Sequence, residues 1–272
     1  MLRFDGSGAS DRGPVREVNE DAGFLGSQVL VVADGVGGSA AGEVASATTA
    51  YVLSRAVTSG SDPMIALDRG VRRAIDVLSG AEAADSHNGG LATTLTALAL
   101  DGDRAALVHA GDSRGYLLRA GGLARLTRDH TYVQRLLDDG FLEQEGVASH
   151  PWRHVVTRSI HALPMPDDER PEYVELALAA GDRVLLCTDG LTDCLDDERI
   201  AALLAIPRPD EAARVLLDEA LLAGGRDNVT CLVADVVTAH ATPRPRLPGD
   251  GLRFGSLADD GNVLAASGIT AS

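Results

Sequence analysis

Apolar residues in this chain gather into short, dense runs that end abruptly in charged or glycine-rich segments. Runs rich in Val and Leu over residues 28–34, 93–100, 104–109, 114–119, 183–188 and 229–236 predict β-strands. Between residues 104 and 127 the pattern predicts a meander: RAALVHA, GYLLRA, a turn at Gly121-Gly122, then LARLT. Helical signals look different. Ala41–Thr58 is an Ala/Val segment with little to stop it, and Asp62-Pro63 supplies an N-cap and a first-turn proline for a second helix reaching about Ser79. Two more helices fit at about 131–139 and 209–223, the latter beginning after Pro209. Strands cluster in the middle and at the end, while two helices sit together after the first strands. That grouping predicts an α+β sandwich rather than strict βαβ alternation. Beyond Thr238 the pattern fails: ATPRPRLPGDG is Pro/Gly-rich, and the residues after it lack periodicity. The expected organisation is one domain over 1–238 and a mobile tail over 239–272.

Composition narrows the function classes. Aromatic residues make up only 3%, so a chain of 272 residues must build its core from Leu, Val and Ala. A net charge of −16 without any Lys/Arg run argues against a nucleic-acid partner. No run approaches the ~20 apolar residues of a membrane span, and MLRFDGSGAS is too polar for a leader peptide, so a cytoplasmic protein is expected. Cys187, Cys194 and Cys231 form no CxxC pair; Cys187 and Cys231 sit inside apolar runs and read as buried hydrophobes.

The chemistry lies where the runs stop. Asp34 ends VLVVAD, Asp112 follows AALVHAG, Asp189 follows RVLLCT, and Asp227 precedes VTCLVADVV, while NEDA adds Glu20 and Asp21. Carboxylates delivered by several strands to one rim of a sheet repel one another strongly in a low dielectric, so hard divalent cations are the simplest counter-charge. Arg16, four residues before Glu20, suits a phosphoryl clamp because its planar fork matches phosphate oxygens.

Other chemistries fit less well. Gly35-x-Gly37-x-x-Ala40 satisfies a relaxed dinucleotide fingerprint, but Asp34 would point a carboxylate at the pyrophosphate, and a second helix follows where a strand is required. Gly111-x-Ser113-x-Gly115 mimics a nucleophile elbow, yet a strand follows instead of a helix. Cys194 and Arg199 are one residue short of a cysteine-phosphatase loop. His150 and His154 are separated by Pro151, and with His87, His109, His130 and His161 they read as loop and cap residues. Asp193 reads as a cap or surface carboxylate and Asn228 as a turn cap.

Seven motifs in order, RxxNEDA, VVADGVGG, GGLATTLTAL, HAGDSRGYLLR, LTRDHT, LLCTDGLTD and GGRDNVT, resemble the type 2C family of metal-dependent Ser/Thr protein phosphatases in its compact bacterial form, over roughly residues 8–237. The resemblance implies a four-layer α/β/β/α sandwich, two antiparallel sheets between helices, with a binuclear Mn2+ or Mg2+ site at one end. It implies that Asp34 bridges the two ions, that Gly35 gives a backbone carbonyl to the second, and that Asp189 and Asp227 complete the first. Glu20 then matches a direct or water-mediated ligand, Asp21 an acid orienting metal-bound waters, and Asp112, with Asp189, a third and looser ion. Arg16 matches the substrate-phosphate clamp, so Asp34, Asp189 and Arg16 form the catalytic set. The implied reaction is hydrolysis of phosphoserine and phosphothreonine in proteins by a hydroxide shared between the cations, without a covalent intermediate, by a monomer that reverses a bacterial Ser/Thr protein kinase. One departure concerns Val36, where many eukaryotic members carry a histidine proposed as the leaving-group acid. That proton is left to a metal-bound water or to a histidine of the 145–161 loop. The segment Gly140–His161 matches the variable flap to which substrate selection is usually assigned.

Overall fold

The computed structural model describes residues 1–36, 41–84, 89–162, 165–239 and 249–264. Among them the strands are β1 (Leu2–Asp11), β2 (Asp21–Gly26), β3 (Val29–Asp34), β4 (Ala92–Thr93), β5 (Leu95–Asp101), β6 (Arg104–Ala110), β7 (Arg114–Arg119), β8 (Gly122–Arg125), β9 (Ile160–His161), β10 (Glu172–Leu176), β11 (Arg183–Cys187), β12 (Val229–Thr238) and β13 (Gly251–Gly255). The α-helices are α1 (Gly42–Ala56), α2 (Pro63–Ala84), α3 (Tyr132–Asp138), α4 (Gln144–Val147), α5 (Asp189–Thr192), α6 (Asp197–Leu204) and α7 (Pro209–Leu222). One antiparallel sheet has the order β1-β12-β11-β7-β8, a second β10-β6-β5-β3-β2-β13, and β4 pairs with β9 alone.

Side-chain alternation explains how these strands stack. On β3, Leu30 and Val32 enter the core between the two sheets, while Val31 and Ala33 face α1 and α2. On β12, Leu232, Ala234 and Val236 enter the central core, while Val229, Cys231 and Val233 face α6 and α7. Each sheet is thus covered on both faces, which is why its strands read as continuous apolar runs rather than as alternating ones. The result is the expected α+β sandwich of four layers. Helix α2 opens as its sequence predicts: Asp62 Oδ1 accepts from the Met64 and Ile65 amides at 2.9 and 3.2 Å, ahead of Pro63 in the first turn.

Local signals missed several elements. The 93–100 run is two strands broken at Thr94, and β1, β2, β10 and α6 carry no strong period of their own. The largest correction concerns the segment read as a mobile tail. Residues 249–264 are built into the fold: β13 pairs antiparallel with β2, from Gly251 opposite Gly26 to Gly255 opposite Ala22. Leu257 is fully buried against α1, Ser256 Oγ donates to the Asp21 carbonyl at 2.9 Å, and the Leu264 amide reaches Thr48 Oγ1 on α1 at 3.1 Å. The rest of the expected tail, 240–248 and 265–272, lies outside the described residues, as does His87.

A buried leucine truncated to alanine in a packed core costs about 2–5 kcal/mol. Leu257→Ala should therefore lower stability by an amount in that range, read as a drop in the urea midpoint at unchanged m-value. An unchanged midpoint would show that this segment does not belong to the cooperative unit.

Candidate metal centre

The pairing of the strands gathers the aspartates. Because β2 and β3 are antiparallel, Asp21 stands opposite Asp34 at the same sheet end. Because β11 and β12 are antiparallel with Cys187 opposite Cys231, the chain leaving β11 toward Asp189 meets the chain entering β12 from Asp227. Gly190 allows that meeting, since a Cβ there would lie 2.1 Å from the Asn228 carbonyl oxygen. The turn holding Asp112 follows β6, whose Ala110 pairs with Leu95, just beyond the Thr94 amide that donates to the Asp34 carbonyl at 2.8 Å. The ends of these five strands, β2, β3, β6, β11 and β12, converge on one rim of the sandwich.

Hydrogen bonds fix the surroundings. Thr188 Oγ1 donates to Asp21 Oδ2 at 2.8 Å, and the Asp34 amide donates to Thr94 Oγ1 at 2.9 Å. Gly35 sits between segments: its amide donates to the Glu20 carbonyl at 3.1 Å, and it forms an isolated bridge with Thr93. Arg16 Nη2 donates to Asp227 Oδ2 at 2.7 Å, with 52% of the Arg16 side chain exposed. The guanidinium is therefore at the mouth, with about half of the side chain open to solvent.

The electrostatics demand a counter-charge. Burial, then repulsion from Asp21, Asp189, Asp112 and Asp227, holds the Asp34 carboxyl far above the ordinary range. Burial pushes Asp21 up to about 8 and Asp189 up to about 7, with neighbouring aspartates adding to both. Asp112 is likewise raised well above its ordinary value by burial and then by Asp189. Glu20 is raised by burial and by Glu43, against the pull of Arg16. Two oxygens, Asp21 Oδ1 and Asp189 Oδ1, are buried with no hydrogen-bond partner. Oxygen-only donors, orphaned buried carboxylate atoms and crowded negative charge fit hard divalent cations such as Mn2+ or Mg2+.

The structure thus brings Glu20, Asp21, Asp34, Gly35, Asp112, Asp189 and Asp227 to one rim with Arg16 beside them. It also adds residues that local motifs undervalued. Asn228 does more than cap a turn: its Oδ1 accepts from the Glu20 amide at 2.8 Å, and its Nδ2 donates to the Arg12 and Val18 carbonyls at 2.9 and 3.0 Å. It ties the loop carrying Arg16 and Glu20 to Asp227. Asp193 occupies the C-cap of α5 through its amide, which donates to the Asp189 carbonyl at 2.8 Å, while its carboxylate is half-exposed. Its carboxylate nevertheless stands 3.7 Å from His154 Nδ1, which lies 4.0 Å from Asp189 Oδ2, so these three offer ligand atoms within 4.8 Å of one another. His109 lies on β6 rather than in a loop, while His130 does lie in the loop before α3, and both are buried. They stack at 4.7 Å in the interior, and burial holds them down to about 4 and about 3, so both are neutral. Ser113 is buried against Thr94 and is followed by β7, which removes any nucleophile-elbow reading.

Comparison with known proteins agrees with this geometry. The family model described as Protein phosphatase 2C matches residues 16–219. The chain is 44% identical over 239 residues to the serine/threonine protein phosphatase PstP of Mycobacterium tuberculosis, an alignment covering 87% of this chain and 45% of the relative. It therefore spans about half the length of that relative. It is 32% identical to the serine/threonine phosphatase stp of Listeria monocytogenes, covering 83% of this chain and 93% of the relative. The crystal structure of the Mycobacterium tuberculosis serine/threonine phosphatase PstP/Ppp superposes with a TM-score of 0.82 at 41% identity, covering 87% of this chain and all of that one. The PstP catalytic domain in complex with two manganese ions gives 0.80 at 40% identity, covering 88% of this chain and all of that one.

Without cations, these carboxyls keep protons in the folded protein at pH values where the unfolded chain has released them, above about pH 4. The folded state then binds more protons than the unfolded one, so stability falls as pH rises through about 7 and 8. Chelator-treated protein should melt at a lower temperature at pH 8 than at pH 6, and Mn2+ should raise melting more at pH 8. Asp34→Asn should flatten the pH dependence. A chelated protein whose melting rises between these pH values would contradict the raised carboxyls.

Proposed function

The chain belongs to the protein phosphatase 2C family, and from that membership we propose that it hydrolyses phosphoserine and phosphothreonine in proteins with two Mn2+ or Mg2+ ions. The observation that carries the reading is the crowd of buried and half-buried carboxylates at one rim, two of them with an orphaned oxygen, with a half-exposed arginine at its mouth. Asp34, Asp189 and Asp227 would hold the ions with the Gly35 carbonyl, Glu20 would complete the second, and Asp112 with Asp189 would take a third. Bound there, the cations supply Lewis acidity and a water of lowered pKa for in-line displacement at phosphorus.

The chain's own residues have separable tasks. Arg16 binds the phosphoryl oxygens in place of its present contact with Asp227, and Asn228 keeps the Arg16 loop at a fixed height over Asp227. Asp21, bonded to Thr188 on one oxygen, has its other oxygen unpartnered and would offer it to a water held in the site. No helix among the described residues is long and apolar enough to cross a membrane. On this reading the enzyme acts in the cytoplasm as a monomer, opposite a Ser/Thr protein kinase that makes its substrates.

A phosphothreonine peptide should be hydrolysed with Mn2+ and not after chelation. Asp34→Asn and Asp189→Asn should each lower kcat by about a thousandfold or more, in line with the several kcal/mol that such ions contribute. Tight Mn2+ binding without turnover would instead make the chain a catalytically silent binding module. Full Mn2+-dependent activity in Asp34→Asn would overturn the assignment.

Arg16→Ala should raise KM for the phosphopeptide by about tenfold with a smaller change in kcat, the pattern of lost substrate binding. A loss confined to kcat would contradict the clamp.

A further inference from the structure

Exposed large apolar side chains normally lie scattered over a soluble protein, and their clustering marks a contact surface. Here Val15 and Val18 stand exposed on either side of Arg16, and Phe141, Trp152 and Val155 stand exposed within the single segment 140–161. Both segments border the carboxylate cluster. The first is held there by Asn228, which donates to the Val18 carbonyl at 3.0 Å. The second brings His154 beside it, with Nδ1 3.7 Å from Asp193 and 4.0 Å from Asp189.

Trp152 is the largest of these side chains and the best ordered by its neighbours. Its ring makes edge contacts with Tyr132 at 5.2 Å and His150 at 6.0 Å, yet 55% of the residue remains exposed. The strip behind it is fastened by the Tyr132 amide donating to the Val155 carbonyl and the Thr157 amide to the His130 carbonyl, both at 2.8 Å. A ring already fixed in place loses little entropy when a partner covers it. Trp152 and His154 are two positions apart in the chain, so their Cα atoms are at most about 7 Å apart. For a phosphorylated residue that enters the cluster beside His154, a spacing of that size corresponds to about two residues of extended peptide.

We propose that these two segments form an apolar rim that selects phosphoproteins with a bulky apolar residue about two positions from the phosphorylated one, with Trp152 as the specificity-determining contact. The proposal rests on the phosphatase reading and adds the sequence class that the site prefers.

The test uses Mn2+-loaded enzyme and pairs of phosphothreonine peptides that differ only in Leu or Ser two positions to either side of the phosphorylated residue. The wild-type enzyme should favour one Leu peptide over its Ser counterpart by about tenfold in kcat/KM, chiefly through KM. Trp152→Ala should erase that preference and Trp152→Phe should keep most of it. A wild-type enzyme without preference, or a preference that survives Trp152→Ala, would overturn the proposal. So would a concentration-dependent dimer in sedimentation that Trp152→Ala abolishes, since the rim would then be covered by a second copy. Failure to hydrolyse any of the peptides would sink the phosphatase reading itself, and this proposal with it.

Discussion

Asp21, Asp34, Asp112 and Asp189 are pressed together at one end of the sandwich, where burial and mutual repulsion both oppose their charge. An arrangement of this kind persists only if the rest of the molecule holds the strand ends where they are. Three buried apolar layers do so: one between the sheets and one beneath each helix layer. The antiparallel pairings then leave the aspartates no room to separate, because each is set at a register position at or within a residue or two of the end of a buried strand. Protons relieve that repulsion where cations are absent, and cations are the counter-charge the rim needs once those protons leave.

The same layering decides what was legible along the chain. Asp34, Asp112 and Asp189 stood out because strands buried on both faces read as unbroken apolar runs, and the first charged residue after such a run marks the sheet's edge. Strand β1 was silent for the opposite reason. Its sequence LRFDGSGASD is rich in small and polar residues because its backbone lies close on β12; a Cβ on Gly6 would fall 2.1 Å from the Val233 carbonyl oxygen. Strand β13 was silent because it is a short, largely exposed edge whose neighbours β1, β2 and α1 are about two hundred residues or more away in sequence. Phe254 of the strand packs on the central core, and its fully buried anchor Leu257 follows the strand.

Residues whose role depends on distant partners were undervalued for the same physical reason. Asn228 looks like a turn residue until β12 is placed beside the loop of residues 12–20, whereupon its amide group bridges three backbone positions of that loop. Thr188 carried no signal within its apolar run, yet its hydroxyl is the donor that satisfies one oxygen of Asp21. Asp193 and His154 lie 39 residues apart in the sequence and meet only because the 140–161 segment folds back over the start of α5. Local pattern locates strand ends; it does not tell which side chains the tertiary fold will set against them.

Behind the carboxylates runs a second buried layer, made of hydroxyls and imidazoles rather than acids. Thr94 Oγ1 takes the Asp34 amide and meets Ser113 Oγ at 2.9 Å; Thr96 Oγ1 donates to the Ser113 carbonyl at 3.1 Å and meets His109 Nδ1 at 2.9 Å. His109 stacks on His130, whose amide donates to the Gly111 carbonyl at 2.7 Å and whose carbonyl anchors Thr157 of the flap segment. Such a chain is stable only when its buried members are satisfied, and leaving one unpaired costs about 1–3 kcal/mol. The neutral state of both histidines, enforced by burial, avoids adding charge to an interior that faces the acid cluster. One continuous network therefore joins the backbone of Asp34, the turn carrying Asp112 and the root of the segment bearing Trp152. The carboxylate rim and the segment bearing Trp152 are held by the same buried frame, so on the proposed reading a bound peptide's phosphorylated residue and its neighbour would be positioned together.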